Sequence, residues 1–143
     1  MKKLSLVAVG CLLLGVMLMQ GCCGKAEHAG VPEADALTGK TFVFYSLDGN
    51  AYLGKQTPVL VFSEDMGISG SFCNRFSGKA ELDNGVLSAG PLAQTKMFCL
   101  DPYLDSLERM MPAMLEEGLA VSFDGERLLL KQGGHVLEYL LQK

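Results

Sequence analysis

The sequence predicts an α+β domain, an antiparallel sheet of short strands served by one helix. Two observations point there. Short β-branched and aromatic runs recur between tight-turn pairs, without the strand–helix alternation that marks a parallel sheet. Only the segment after Asp101 spaces its apolar residues for a helix. A third observation concerns covalent structure. Cys73 and Cys99 fall inside this region, in Gly-rich or turn-prone contexts that suit a staple in a small β-rich domain.

The elements follow in chain order. Thr41–Leu47 is rich in β-branched and aromatic residues and stops at the turn pair Asp48-Gly49. Pro58–Phe62 is a second strand, and Ile68–Phe76 is read as a third, broken by Gly70. Lys79–Leu82 and Val86–Ser88 form a hairpin across Asn84-Gly85, a pair that accepts the positive φ angles of a tight turn. Asp101 is a good N-cap and Pro102 fits the first helical position. Leu104, Leu107, Met111 and Met114 then give the helix one apolar face. Pro112 removes a backbone donor and is expected to kink or restart the helix, and Gly118 closes it. Met110, Met111 and Met114 could in principle offer a soft ligand surface or a copper site, but methionines on such a face are read as core packing. Leu119–Phe123, Arg127–Lys131 and Val136–Leu140 complete a meander through Asp124-Gly125 and Gly133-Gly134.

Upstream of the domain the chain carries an address. Lys2 and Lys3 precede an apolar run from Leu4 to Met19, short for a membrane span and right for a signal-peptide core. The run ends in Met-Gln-Gly-Cys22, the pattern read by lipoprotein signal peptidase. Residues 1–21 are therefore read as a lipoprotein signal peptide and Cys22 as the lipidated first residue. An ordinary signal peptide and an uncleaved anchor are the alternatives. Three acyl chains, palmitate among them, would hold such a protein permanently, where one chain holds only reversibly. Cys23, rather than Asp, follows the anchor, which resembles lipoproteins sorted to the outer membrane. Residues 22–36 are polar and Gly/Ala-rich with one Pro, and are read as a flexible tether, with the domain at 37–143.

Composition excludes some functions. The chain has 12 Lys+Arg against 16 Asp+Glu, and loss of Lys2 and Lys3 with the signal leaves 10 against 16. An acidic, exported domain is a poor partner for nucleic acid. Neither histidine, His28 in the tether or His135 in a predicted turn, stands in a recognised arrangement with a serine or cysteine. There is no Gly-x-Ser-x-Gly elbow and no phosphate-loop Lys, so no enzyme activity and no cofactor are expected. Asp101 and Asp105 share a helical face, with Asp101 read as the cap. For Cys73 and Cys99 a disulfide is the first reading, worth about 3–4 kcal/mol for a loop of roughly 26 residues. Two buried thiols or a metal site are the alternatives, and no Cys-x-x-Cys spacing or neighbouring histidine supports metal.

Two blocks carry a resemblance: Gly70-Ser-Phe-Cys-Asn-Arg-Phe-Ser-Gly78, then Thr95-Lys-Met-Phe-Cys99, preceded by an aromatic strand after Leu-Thr-Gly-Lys. Over about residues 37–141 the sequence resembles the META domain of HslJ-like heat-shock lipoproteins. Phe72 stands where the family often has Gly, Phe42 where Trp is usual, and Phe98 where a small residue is common. The resemblance implies a strongly curved antiparallel sheet, a cracked barrel, packed on one helix. A similar barrel occurs in pilotin lipoproteins. It also implies a link to heat shock and envelope stress, and makes Gly70, Asn74, Gly78, Thr95 and Met97 motif residues. The implied setting is the bacterial envelope, facing the periplasm, with a membrane reached through the lipid and an envelope protein as the partner class. Gly67, Gly70 and Gly78 suit bends in such a sheet. Asn74 is expected to serve a turn through its own side chain, with a ligand contact as the alternative.

Overall fold

The computed structural model describes residues 31–143. The expectations for the signal peptide, Cys22, Cys23 and His28 lie outside the described residues.

A 3-10 turn, Ala34–Ala36, leads the chain in. Pro32 is already buried there and Leu37 is fully buried. Leu37 stands where the domain was expected to start, and Pro32 ahead of it packs down as well. The strands are β1 (Thr41–Leu47), β2 (Asn50–Ala51), β3 (Val59–Phe62), β4 (Gly67–Ser71), β5 (Arg75–Asp83), β6 (Val86–Ala89) and β7 (Ala93–Gln94). Helix α1 (Pro102–Glu117) is followed by β8 (Leu119–Phe123), β9 (Arg127–Gln132) and β10 (His135–Leu141).

All pairings are antiparallel. Eight strands follow one another around the sheet as β10-β9-β8-β6-β5-β4-β3-β1, and β10 also pairs with β1, so the sheet closes on itself as a barrel. Closure removes both open edges. Curvature has local sources. The β1–β10 ladder shifts register between Phe44 and Ser46, so Tyr45 bulges outward, half exposed. At Gly70 a Cβ would stand 2.5 Å from the Val59 carbonyl oxygen and 2.6 Å from the ring of Phe76, so only glycine lets that ring pass. The seam between β6 and β8 is thin, with two paired positions, Val86↔Ala120 and Leu87↔Leu119. Helix α1 packs against β6 beside this seam.

The period-2 pattern sends Phe42, Phe44, Leu60, Phe62, Ile68 and Phe76 inward, with Leu128, Leu130, Leu137 and Tyr139 from the C-terminal meander. The helix adds Leu104, Leu107, Met111, Met114 and Leu115 to the same cluster. The expected apolar stripe is therefore core, one residue wider than the spacing proposed. Burial also drives the Tyr139 hydroxyl pKa up, since the phenolate would lose its water.

Two expectations change. The third strand is a hairpin: β4 and β5 pair directly, Ser71↔Arg75, and Phe72–Asn74 is the turn between them. The helix passes through Pro112 as one 16-residue element. It does not restart, because the stripe on both sides of the proline is anchored in one core.

Candidate functional site

The two motif blocks meet at one end of the barrel, around the start of α1. Asp101 caps the helix as expected: its Oδ1 accepts from Tyr103 N at 3.0 Å and Leu104 N at 3.3 Å. Its other oxygen accepts from the Tyr52 hydroxyl at 3.0 Å. Tyr52 and Tyr103 stack, ring centroids 5.6 Å apart, and the Tyr103 hydroxyl donates to Asn50 O at 3.1 Å while accepting from Leu47 N at 3.2 Å. Desolvation raises both phenol pKa values, and for Tyr52 the bond to Asp101 adds to it. These contacts tie the β1–β2 turn and the loop after it to the helix.

Cys73 and Cys99 are joined as a disulfide, their Cα atoms 5.6 Å apart. Beside it lies Asn74, almost fully buried. Its Oδ1 accepts from Met97 N at 2.6 Å and from the Thr95 hydroxyl at 3.0 Å, and its Nδ2 donates to Met97 O at 3.0 Å. The Thr95 hydroxyl in turn accepts from Arg75 N at 3.0 Å. An amide fits because the site needs a donor and an acceptor on one planar group. Asn74 thus spans the two blocks, where the sequence suggested a local turn bond. Met97 takes part through its backbone, and its side chain is 64 % exposed. Gly78 lies in β5 opposite Ile68, with the Leu92 side chain against it.

The residue that organises this cluster was missed in the sequence. Glu108 of α1 receives Asn74 N at 2.9 Å and Cys73 N at 3.3 Å on one oxygen, and Asn74 Nδ2 on the other. A carboxylate accepts such donors strongly, and the Phe72–Asn74 turn would otherwise leave them unpaired. One signal was available. Glu108 stands four residues after Leu104 and three before Met111, in line with the apolar stripe. A charge in that register is a charge with a partner.

The Cys73 and Cys99 sulfurs and a Glu108 oxygen lie within 4.8 Å of one another, a donor set a soft cation could use. Joined as a disulfide, the sulfurs offer it no thiolate, and Glu108 is already committed to three N–H groups. His135 is not a free turn residue. It opens β10, and its Nδ1 lies 2.9 Å from Asp48 Oδ2. The Asp48 carboxyl is held below its ordinary range, first by that hydrogen bond and then by Val136 N. Asp105 pairs with Arg109 on the exposed helix face.

Next to the disulfide runs an apolar groove of about 620 Å³, walled by Tyr52, Met97, Phe98, Leu100 and Pro102. A second groove, about 520 Å³, lies along the outer face of β3–β5 among Val59, Val61, Ser69, Ser77 and Thr95. The first adjoins the motif cluster and carries exposed side chains: Phe98 is 88 % and Leu100 87 % accessible. Chemically this end is a rigid, covalently braced rim around an apolar opening.

A closed eight-stranded barrel with one helix and a stapled Asn–Thr–Glu cluster defines a small class of domain. The META domain profile matches residues 35–143, and the chain belongs to the META domain family. It is 40 % identical to heat shock protein HslJ of Escherichia coli strain K12, over 87 % of this chain and 89 % of that protein. A solved NMR structure superposes with a TM-score of 0.71 at 38 % identity, covering 76 % of this chain and 94 % of its own. An NMR structure from Burkholderia xenovorans shares the fold at a TM-score of 0.60 and 24 % identity, covering 76 % of this chain and 86 % of its own.

Proposed function

We propose that this META-family protein is a lipid-anchored envelope protein that works by contact rather than catalysis, in stress response or envelope maintenance. The observation that carries the reading is the motif cluster itself. Its polar groups, Asn74, Thr95 and Glu108, are spent on holding two loops together, and what those loops present outward is apolar surface. The heat-shock name of the Escherichia coli relative supports a stress role. Attachment rests on the Met-Gln-Gly-Cys22 boundary. Among the described residues no helix is long and apolar enough to cross a membrane. The reading puts the protein in the outer membrane, facing the periplasm.

Intact-mass measurement of the mature protein tests the anchor. The expected chain starts at Cys22 with added lipid mass, and Cys22→Ala is expected to remain as precursor or become soluble. Normal processing of that variant with retention in the membrane would overturn the reading.

The groove of about 620 Å³ beside the start of α1 favours a second reading, a pilotin-like assembly factor that holds a partner peptide or lipid tail there. Crosslinking in the envelope separates the two. Secretin subunits support the pilotin reading, and a scattered set of outer-membrane proteins supports maintenance.

A further inference from the structure

The two ends of the barrel differ in chemistry. Leu53 (93 % exposed), Phe98, Leu100 and Met97 project from the loops at the disulfide end, with Tyr52 and Gly54 beside Leu53 walling the same groove as Phe98. The same loops carry Lys55 and Lys96, and Arg75 starts β5 next to them. Their acids are engaged: Asp101 caps α1 and binds Tyr52, and Asp48 binds His135. The opposite end carries Glu64, Asp65, Asp83, Asp124 and Glu126 against Lys40, Lys79, Arg127 and Lys143, with Glu33 and Asp35 on the segment that leads into it. Val31 lies against Gly85 there, so the N-terminal segment meets the barrel at the acidic end.

We propose that the Leu53 and Met97–Leu100 end of the barrel docks on an anionic bilayer surface, apolar tips in the interface and Lys55 and Lys96 at the headgroups. The inference rests on the anchored reading above. Protruding apolar side chains flanked by lysines match a boundary that is apolar beneath and negatively charged above. The acidic end is repelled by the same surface, which orients the domain tip-down. Chain length permits it. β5 spans the barrel from Arg75 to Asp83, about 26 Å at roughly 3.3 Å per residue. Cys22 to Val31 extends to about 30 Å at most, enough for a lipid at Cys22 to share a membrane with the far end of the barrel.

The chain has no tryptophan, so a single introduced indole reports cleanly. Full-length Phe98→Trp, purified from membranes, is reconstituted on phosphatidylcholine vesicles with and without phosphatidylglycerol, their acyl chains brominated to quench fluorescence. Glu126→Trp, at the acidic end, is the reference variant. The expected result for Phe98→Trp is a blue shift and several-fold stronger quenching on phosphatidylglycerol-containing vesicles, lost in a Lys55→Gln, Lys96→Gln background. The reference variant is expected to show neither change. An indole at position 98 as water-exposed on those vesicles as the one at position 126 overturns the proposal. Shielding of position 98 in native membranes but not on protein-free vesicles also overturns it, in favour of a protein partner. Flotation with phosphatidylcholine alone reports the lipid anchor separately. Its loss overturns anchoring, while quenching on phosphatidylglycerol still decides docking.

Discussion

Tight left-handed turns reverse the chain at both ends of the barrel, Asp48-Gly49 and Gly133-Gly134 at one and Asn84-Gly85 at the other, but only one end also carries long loops. At the Asn84-Gly85 end the reversals are short and largely local. Asn84 and Gly85 take φ of 48° and 77°, the left-handed angles of a tight hairpin, and Asp124 Oδ1 collects Glu126 N and Arg127 N within its own turn. At the disulfide end the loops at 52–58, 72–74 and 90–101 cannot close on backbone geometry alone. They are held by Glu108, Asn74, Tyr103 and a covalent bond reaching across the fold. The contrast shows what a longer surface loop needs: backbone N–H groups such as those of Cys73, Asn74 and Met97 find side chains from outside their own loop, and the loop becomes part of the tertiary structure.

Breaking the tied end is expected to cost most. Cys73→Ser with Cys99→Ser removes a crosslink over a 26-residue separation. The loss is about 3–4 kcal/mol, or a melting temperature lower by on the order of 10–20 °C by calorimetry. Glu108→Ala comes next. It strands Cys73 N, Asn74 N and Asn74 Nδ2, at about 2–3 kcal/mol in urea unfolding. Glu108→Gln, which keeps an acceptor, is expected to fall between it and the parent. At the other end, Gly85→Ala puts a Cβ on a left-handed residue and costs about 1–2 kcal/mol. A larger loss there than at Glu108 would reverse the comparison.

The smallest effect depends on pH. Asp48 bridges the β1–β2 and β9–β10 turns, and its carboxyl is held low by His135 first and Val136 N second. A lowered folded-state pKa gives stability that is present above the unfolded value, about 3.9, and is lost as pH falls through the folded one. Asp48→Asn is therefore expected to melt slightly below the parent at neutral pH, with the gap closing below about pH 4. A gap that widened in acid would show that the carboxylate is not the stabilising form.

How much of this was legible follows the same division. Self-contained features read directly: Asn84-Gly85 as a hairpin, Asp101-Pro102 as a helix start, the Leu104–Met114 stripe as core. The Phe72–Asn74 turn did not, because it contains no Gly or Pro and its shape comes from Glu108 on a distant element. Barrel closure was not visible in the strand pattern either. Alternation in β1 and β10 is the same whether the sheet is open or shut, and the curvature was implied by the motif resemblance, with Gly67, Gly70 and Gly78 as the residues that suit it.

The β1–β10 ladder, in which Phe42 pairs with Leu141, also bears on how the barrel forms. The first long strand and the last are neighbours, so contact order is high, and folding is expected on the slow, millisecond-to-second side for a domain of this size. Until residues 135–141 dock, β1 and β9 each present an open edge on the β10 side. The final seven residues of sheet thus act as a latch. A chain clipped before His135 would lose more than one strand's contacts, because it would leave a curved sheet with two edges available to other chains.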